Sequence, residues 1–169
     1  GAYDTLKPFI DGGQIVVPSG QVDIEQAATL RWLQETAQKR MEDLLTGSYT
    51  GDAKVDGVLS PYDGISRGII TALQNAGYGS GDSAMPIVTG QDAEIASVKL
   101  IRDGVQFSTI FKDTRKLAAQ AVAASEAYLS GSEPDLQFRG KPLSEKVQEI
   151  EPETAIAATD APADDARLA

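Results

Sequence analysis

The stretch Pro86-Ile87-Val88-Thr89-Gly90-Gln91-Asp92-Ala93-Glu94 constrains the fold more than any other part of the chain. A short apolar run ends in glycine, an amide and a carboxylate, and a helical pattern follows. That is the signature of a strand feeding a helix in an open α/β sheet. In such sheets the space beyond the carboxyl ends of the strands holds small polar ligands. Asp92 is ionised at neutral pH and accepts hydrogen bonds on two oxygens, which suits a ligand with vicinal hydroxyls. The alternative is that Asp92 only caps the next helix, since aspartate is a preferred N-cap residue.

Further strand–helix units follow the same plan. Residues 1–10 read as the end of a helix, with Ala2, Leu6, Phe9 and Ile10 on one face, stopped by Asp11-Gly12-Gly13. Gln14-Ile15-Val16-Val17 reads as a short strand closed by Pro18-Ser19-Gly20. Residues 33–45 form a helix whose buried stripe is Ala37, Met41, Leu44 and Leu45. A second strand spans 55–60, and a helix spans 65–76 with Ile65, Ile69, Ala72 and Leu73 inward. After the third strand, in the opening stretch, a helix runs over 93–102 with Ile95, Val98 and Ile101. A fourth strand spans 105–111, with Phe107, Thr109 and Phe111 on one side. A helix over 114–129 closes the pattern. From about Leu143 the chain is rich in Glu, Ala, Asp and Pro and reads as disordered, with at most a helical turn over 141–151.

The strand ends carry the candidate site residues. Trp32 stands at the head of the 33–45 helix and is the only tryptophan. It is either a core or lid residue or a flat face for the C–H side of a sugar. Tyr62 offers a hydroxyl at the rim that Asp92 occupies. Asp63 is placed to cap the 65–76 helix, a role favoured over ligand contact. Lys112 ends the fourth strand, where it donates to a ligand hydroxyl, pairs with Asp92, or is a solvated charge.

Composition removes several chemistries. The net charge of −10 opposes nucleic-acid binding, because phosphates need Lys and Arg. With no cysteine and no histidine, thiolate metal sites, disulfides, and Ser–His or Cys–His catalysis are excluded. No segment approaches the ~20 apolar residues of a membrane span. The start, Gly1-Ala2-Tyr3-Asp4, has no signal-peptide pattern. No cofactor motif is present, and no pair of carboxylates shares a glycosidase-like motif.

Three runs carry a resemblance: Leu59-Ser60-Pro61-Tyr62-Asp63-Gly64-Ile65, Val88-Thr89-Gly90-Gln91-Asp92-Ala93-Glu94, and Gln106-Phe107-Ser108-Thr109-Ile110-Phe111-Lys112-Asp113-Thr114-Arg115. Together with Thr29-Leu30-Arg31-Trp32 and Thr36-Ala37-Gln38-Lys39-Arg40-Met41, they resemble the periplasmic sugar-binding receptors of ABC importers, in the xylose- and multiple-sugar-binding branch. The resemblance covers residues 1–134. It implies the lobe of a type I periplasmic binding protein: an α/β fold with a mostly parallel sheet flanked by helices, here incomplete and followed by a disordered acidic tail over 135–169.

The family's stacking tryptophan falls on Trp32, its ligand carboxylate on Asp92 and its hinge lysine on Lys112. An asparagine used by galactose and ribose binders falls on Tyr62, which alters that contact. The implied ligand is a monosaccharide such as xylose, glucose, galactose or arabinose. The implied partners are an importer permease and a chemoreceptor or sensor kinase, and the implied location is the periplasm.

The resemblance also implies that the first lobe and the second lobe's first, central strand are missing, as in a truncated or cut receptor. That would leave unpaired backbone edges on the strands near Gln14 and Pro86. The alternative function is the effector domain of a LacI-type regulator, which shares the fold but carries an N-terminal helix-turn-helix that is not visible in this sequence.

Overall fold

The computed structural model describes residues 2–133 and 155–157. Helix α1 spans Ala2–Asp11 and a short helix α2 spans Ile24–Ala27. A 3₁₀ turn at Leu30–Trp32 leads into α3, Gln34–Gly47. Then come β1 (Gly57–Val58), α4 (Asp63–Asn75), β2 (Ile87–Val88), α5 (Ile95–Arg102), β3 (Ser108–Ile110), α6 (Thr114–Leu129) and β4 (Ala155–Ala157).

Strands β1 and β2 pair in parallel, Gly57 with Ile87 and Val58 with Val88. Beyond β2 the chain meets β3. Phe107 N donates to Val88 O at 3.1 Å, Ile110 N to Gly90 O at 3.2 Å, and Asp92 N to Ile110 O at 2.8 Å. A parallel bridge joins Gln91 to Ile110. The spatial order is therefore β1-β2-β3, with β4 antiparallel on β3. The polar residues after β1, β2 and β3 all emerge at one end of this sheet.

The core lies between the strands and helices α3 and α4. Met41, Val55, Ile70, Ala72, Leu73 and Val88 form one buried cluster, with Leu44, Leu45 and Ile69 packed against it. Each fully buried aliphatic side chain here contributes ~1.5–3 kcal/mol. Helices α3 and α4 meet closely at Gly68, where the Gln34 carbonyl occupies the place of a side chain. Only glycine allows that approach. The expected stripe of Ala37, Met41, Leu44 and Leu45 faces this interface, as does that of Ile65, Ile69, Ala72 and Leu73.

Three expectations are corrected. Gln14–Val17 is not a strand: Gln14 N and Ile15 N both donate to Phe9 O, at 2.9 and 3.0 Å, and Val16 is 74% exposed. The backbone groups needed for a ladder are spent closing the end of α1. An open edge beside β2 is not found either, because β1 and β3 flank it; β1 has one described neighbour, β2. In and beside β3 the buried side chains are Thr109 and Gln106, while Phe107 and Phe111, just outside the strand, are exposed.

Helices α1 and α6 bury no residue. Leu117, Val122, Tyr128 and Leu129 of α6 are exposed. No helix among the described residues is long and apolar enough to cross a membrane. The expected disorder of 135–169 and the turn at 141–151 lie outside the described residues, apart from the three that form β4.

Candidate functional site

A cleft of about 460 Å³ opens at the carboxyl end of the strands, lined by Arg31, Trp32, Pro61, Tyr62, Gln91, Asp92 and Lys112. That volume suits a small polar ligand. The cleft brings together four of the five sequence-derived site residues: Trp32, Tyr62, Asp92 and Lys112. They come from the 3₁₀ turn, the β1–α4 junction, the β2–α5 junction and the end of β3.

Backbone strain marks two walls of the cleft. Among the described residues, four that are not glycine have φ in the left-handed region: Arg31 (54°), Trp32 (55°), Asp92 (96°) and Ala93 (52°). Such conformations cost ~1–3 kcal/mol each and persist only where surrounding contacts fix them. Two strained dipeptides thus present the tryptophan ring and the carboxylate to one space. The strain also settles the capping alternative for Asp92. Helix α5 cannot start at Ala93 and begins at Ile95, with Glu94 at the N-cap position and no side-chain cap bond. Asp92 is instead paired with Lys112, whose Nζ lies 2.7 Å from Asp92 Oδ1.

Asp113 fixes where Lys112 leaves the sheet. Its carboxylate caps α6 through Arg115 N at 3.0 Å and grips the Arg115 guanidinium at 3.0 and 2.9 Å. That guanidinium holds the Asp113 carboxyl at about 2, below the usual carboxylate range.

Asp63 requires a correction. It is 0% exposed and does not line the cleft, so its carboxylate is not a ligand contact in this structure. Nor does it cap α4, which starts at Asp63 itself with Tyr62 at the N-cap position. Its oxygens hold the strained turn from behind. Oδ2 accepts from Glu94 N at 2.8 Å, and Oδ1 accepts from the Thr109 hydroxyl at 2.7 Å and from Gln106 Nε2 at 3.3 Å. The Thr109 oxygen in turn accepts from Ala93 N at 3.2 Å. Burial pushes the Asp63 carboxyl up, and these hydrogen bonds oppose the rise. Gly90 makes room for the arrangement: a Cβ there would collide with Asp63 Oδ1 and lie 2.6 Å from Gln106 Nε2.

Tyr62 faces the cleft, but its hydroxyl is committed. It donates to Glu94 Oε1 at 2.9 Å, and that acceptor raises the phenol's pKa. Its ring lies against Trp32, centroids 6.1 Å apart and tilted by 58°. Arg67 binds the other oxygen of Glu94 at 2.6 Å.

Sequence reasoning missed Arg31, Gln91, Glu94 and Arg67. Gln91 and Glu94 lay inside the opening stretch, and Arg31 precedes Trp32. Arg67 carries no local signal, because its partner is far along the chain. The assembled cleft offers an aromatic face, a carboxylate, an ammonium, an amide and a guanidinium, which together can stack on a sugar ring and exchange hydrogen bonds with its hydroxyls. Among the described residues no cluster of His, Cys, Asp and Glu could hold a metal ion.

Residues 1–133 match the family model described as periplasmic binding protein domain. The chain is 54% identical over 136 residues to the multiple sugar-binding periplasmic receptor ChvE of Rhizobium radiobacter, covering 80% of this chain and 38% of that protein. It is 53% identical over 131 residues to the multiple sugar-binding periplasmic protein SbpA of Azospirillum brasilense, covering 78% and 36%. A solved ABC transporter solute-binding protein from Clostridium phytofermentans, with bound β-D-glucose, superposes with a TM-score of 0.68 at 44% identity, covering 80% and 40%. The chain therefore spans about two fifths of the length of these relatives.

Proposed function

The chain belongs to the periplasmic binding protein domain family, and from that premise we propose that it forms a sugar-binding lobe of the solute-binding component of an ABC-type monosaccharide importer. The observation that carries the proposal is the cleft that Trp32 lines together with the Asp92–Lys112 pair. A pyranose has an apolar C–H face and a rim of hydroxyls. The indole takes the face, Asp92 accepts from hydroxyls, and Lys112 and Gln91 donate to them. Ligands of this shape are aldoses such as glucose, galactose, xylose and arabinose. The relative with bound β-D-glucose supports that class.

In this reading the lobe binds and releases without catalysis, works in the periplasm, and hands its sugar to a permease. A chemoreceptor or sensor kinase is a further docking partner. The relatives are sugar receptors by name, which favours a transport role over the effector domain of a LacI-type regulator.

The test is an amide-shift titration of the isotopically labelled chain with these four aldoses, a method that reads weak binding. Saturable shifts at the Trp32 indole N–H and the Gln91 side-chain amide are expected. Shifts confined to other surfaces, or none with any aldose, would overturn the proposal.

A further inference from the structure

We propose that Glu94 is a positioning residue that sets the stacking face of Trp32 through Tyr62. The inference rests on the reading of Trp32 as a sugar-stacking ring. Trp32 itself is poorly held: it is 56% exposed and ends a three-residue turn with left-handed backbone. Among the described residues its ring neighbour is Tyr62. The tyrosine is the ring the indole leans on, so what fixes the tyrosine bears on the indole's orientation.

Two contacts fix that tyrosine, and the first is to a Glu94 that is itself anchored. Its Oε1 accepts the Tyr62 hydroxyl at 2.9 Å. Its Oε2 is bound at 2.6 Å by Arg67 Nη2, and Arg67 Nη1 donates to the buried Ser97 hydroxyl at 3.1 Å. The Glu94 main chain is pinned as well, by its N–H to Asp63 Oδ2. A carboxylate held at both oxygens and at its backbone has little freedom left, and charged hydrogen bonds are the strong ones. The second contact is steric. The Tyr62 ring folds over Gly64, where a Cβ would lie 2.7 Å from Tyr62 Cζ and 2.9 Å from its hydroxyl oxygen. Gly64 leaves the space into which Glu94 draws the ring. None of these groups need touch the sugar, yet together they prepare the face it meets. A receptor with a pre-set aromatic wall loses less side-chain entropy on binding.

The experiment uses the chain without ligand, because its only tryptophan is the reporter. Steady-state anisotropy and acrylamide quenching of Trp32 are measured in wild type, Tyr62→Phe, Glu94→Ala, Glu94→Gln, Gly64→Ala and the Tyr62→Phe/Glu94→Ala double variant, with far-UV circular dichroism on each. Tyr62→Phe and Glu94→Ala should both lower the anisotropy and raise quenching, and the double variant should go no further than the larger single change. Glu94→Gln should stay nearer wild type, because the amide oxygen still accepts the Tyr62 hydroxyl. Gly64→Ala should move the signal by displacing the ring while leaving Glu94 untouched.

Wild-type signals in Tyr62→Phe and Glu94→Ala with intact circular dichroism would overturn the proposal, and so would simple additivity in the double variant. If Glu94→Ala unfolds, Tyr62→Phe decides alone, since it removes one oxygen from a half-buried side chain. Failure here appears in ligand-free spectra. Failure of the sugar reading appears in the amide-shift titration, so the two are separable.

Discussion

Lys112 Nζ lies 2.7 Å from Asp92 Oδ1, and each side chain keeps about two fifths of its surface in water. An ion pair that exposed contributes at most ~1 kcal/mol to the fold. Its importance lies in what it offers a ligand: an acceptor and a donor side by side at the end of the sheet. In a two-lobed receptor carrying this lobe, Asp92→Ala should weaken sugar binding by ~1.5–3 kcal/mol or more, the scale of charged hydrogen bonds. The melting temperature should hardly move. Calorimetry beside a thermal melt checks both; a stability loss matching the affinity loss would make Asp92 a residue of the fold instead.

Trp32→Ala is expected to cost ~1–3 kcal/mol of affinity in the same receptor, the scale for losing a buried aromatic contact. It should cost less than Asp92→Ala, which leaves ligand hydroxyls without their acceptor. Because the ring is half exposed in the lobe alone, stability should change little. Trp32→Phe, which keeps a smaller face, should fall between. Equal affinities for all three by calorimetry would remove Trp32 from the site.

Asp63 gives the pH prediction. Burial raises its carboxyl above the unfolded value of ~3.9. In the window between those two values the folded chain holds more protons than the unfolded one. Its contribution to stability is therefore full below the unfolded pKa and is lost as pH rises through the folded pKa. Asp63→Asn removes that titration, so urea unfolding of the variant should show a flatter stability curve from ~pH 4 upward than wild type. The variant should also be less stable overall by ~1–3 kcal/mol, because an amide cannot accept from Thr109, Glu94 N and Gln106 together. Curves that stay parallel across that window would assign the acid response to other carboxyls.

Gly90→Ala should destabilise by ~1–3 kcal/mol, the usual cost of overpacking a tight site. The added methyl meets Asp63 Oδ1, Gln106 Nε2 and, at 3.2 Å, Ser66 Oγ, all buried. Ala in the double variant Gly90→Ala/Asp63→Ala should cost less than the sum of the two singles, because the collision is gone. Strict additivity in denaturant unfolding would place the strain elsewhere.

Periodicity in the sequence identified the helices because their stripes are local. Met41, Ala72, Leu73, Val98 and Ile101 are all buried at helical spacing. The rim was legible for a related reason: each polar residue follows its own strand, so Asp92 and Lys112 were placed at one edge without knowing the pairing. What stayed hidden depends on contacts between distant segments. Asp63 resembles a cap until Thr109, Gln106 and Glu94 N are brought to it from β3 and the β2–α5 junction. Ile15-Val16-Val17 has strand composition, but no described strand lies beside it to pair with. The left-handed turn at Asp92-Ala93 has no glycine to announce it. It is the kind of local conflict that occurs where a fold serves a site.

The last prediction concerns the chain by itself. Trp32, Asp92 and Lys112 all stand around half in water, and the cleft they line is open. A sugar seated there keeps one side hydrated, so each hydrogen bond is an exchange with water that nets only ~0.5–1.5 kcal/mol. Loss of translational and rotational freedom alone costs ~4 kcal/mol or more. The balance leaves weak binding, ~1 mM or weaker on the affinity scale. Self-association is expected beside it. Leu117, Val122, Tyr128 and Leu129 are exposed on α6, and Tyr3 and Phe9 on α1, with no described element covering them. Calorimetry with xylose, glucose, galactose and arabinose, run beside light scattering, measures both. Tight binding by a monomer would show that this open cleft closes over its ligand unaided, and that the lobe is a receptor complete in itself.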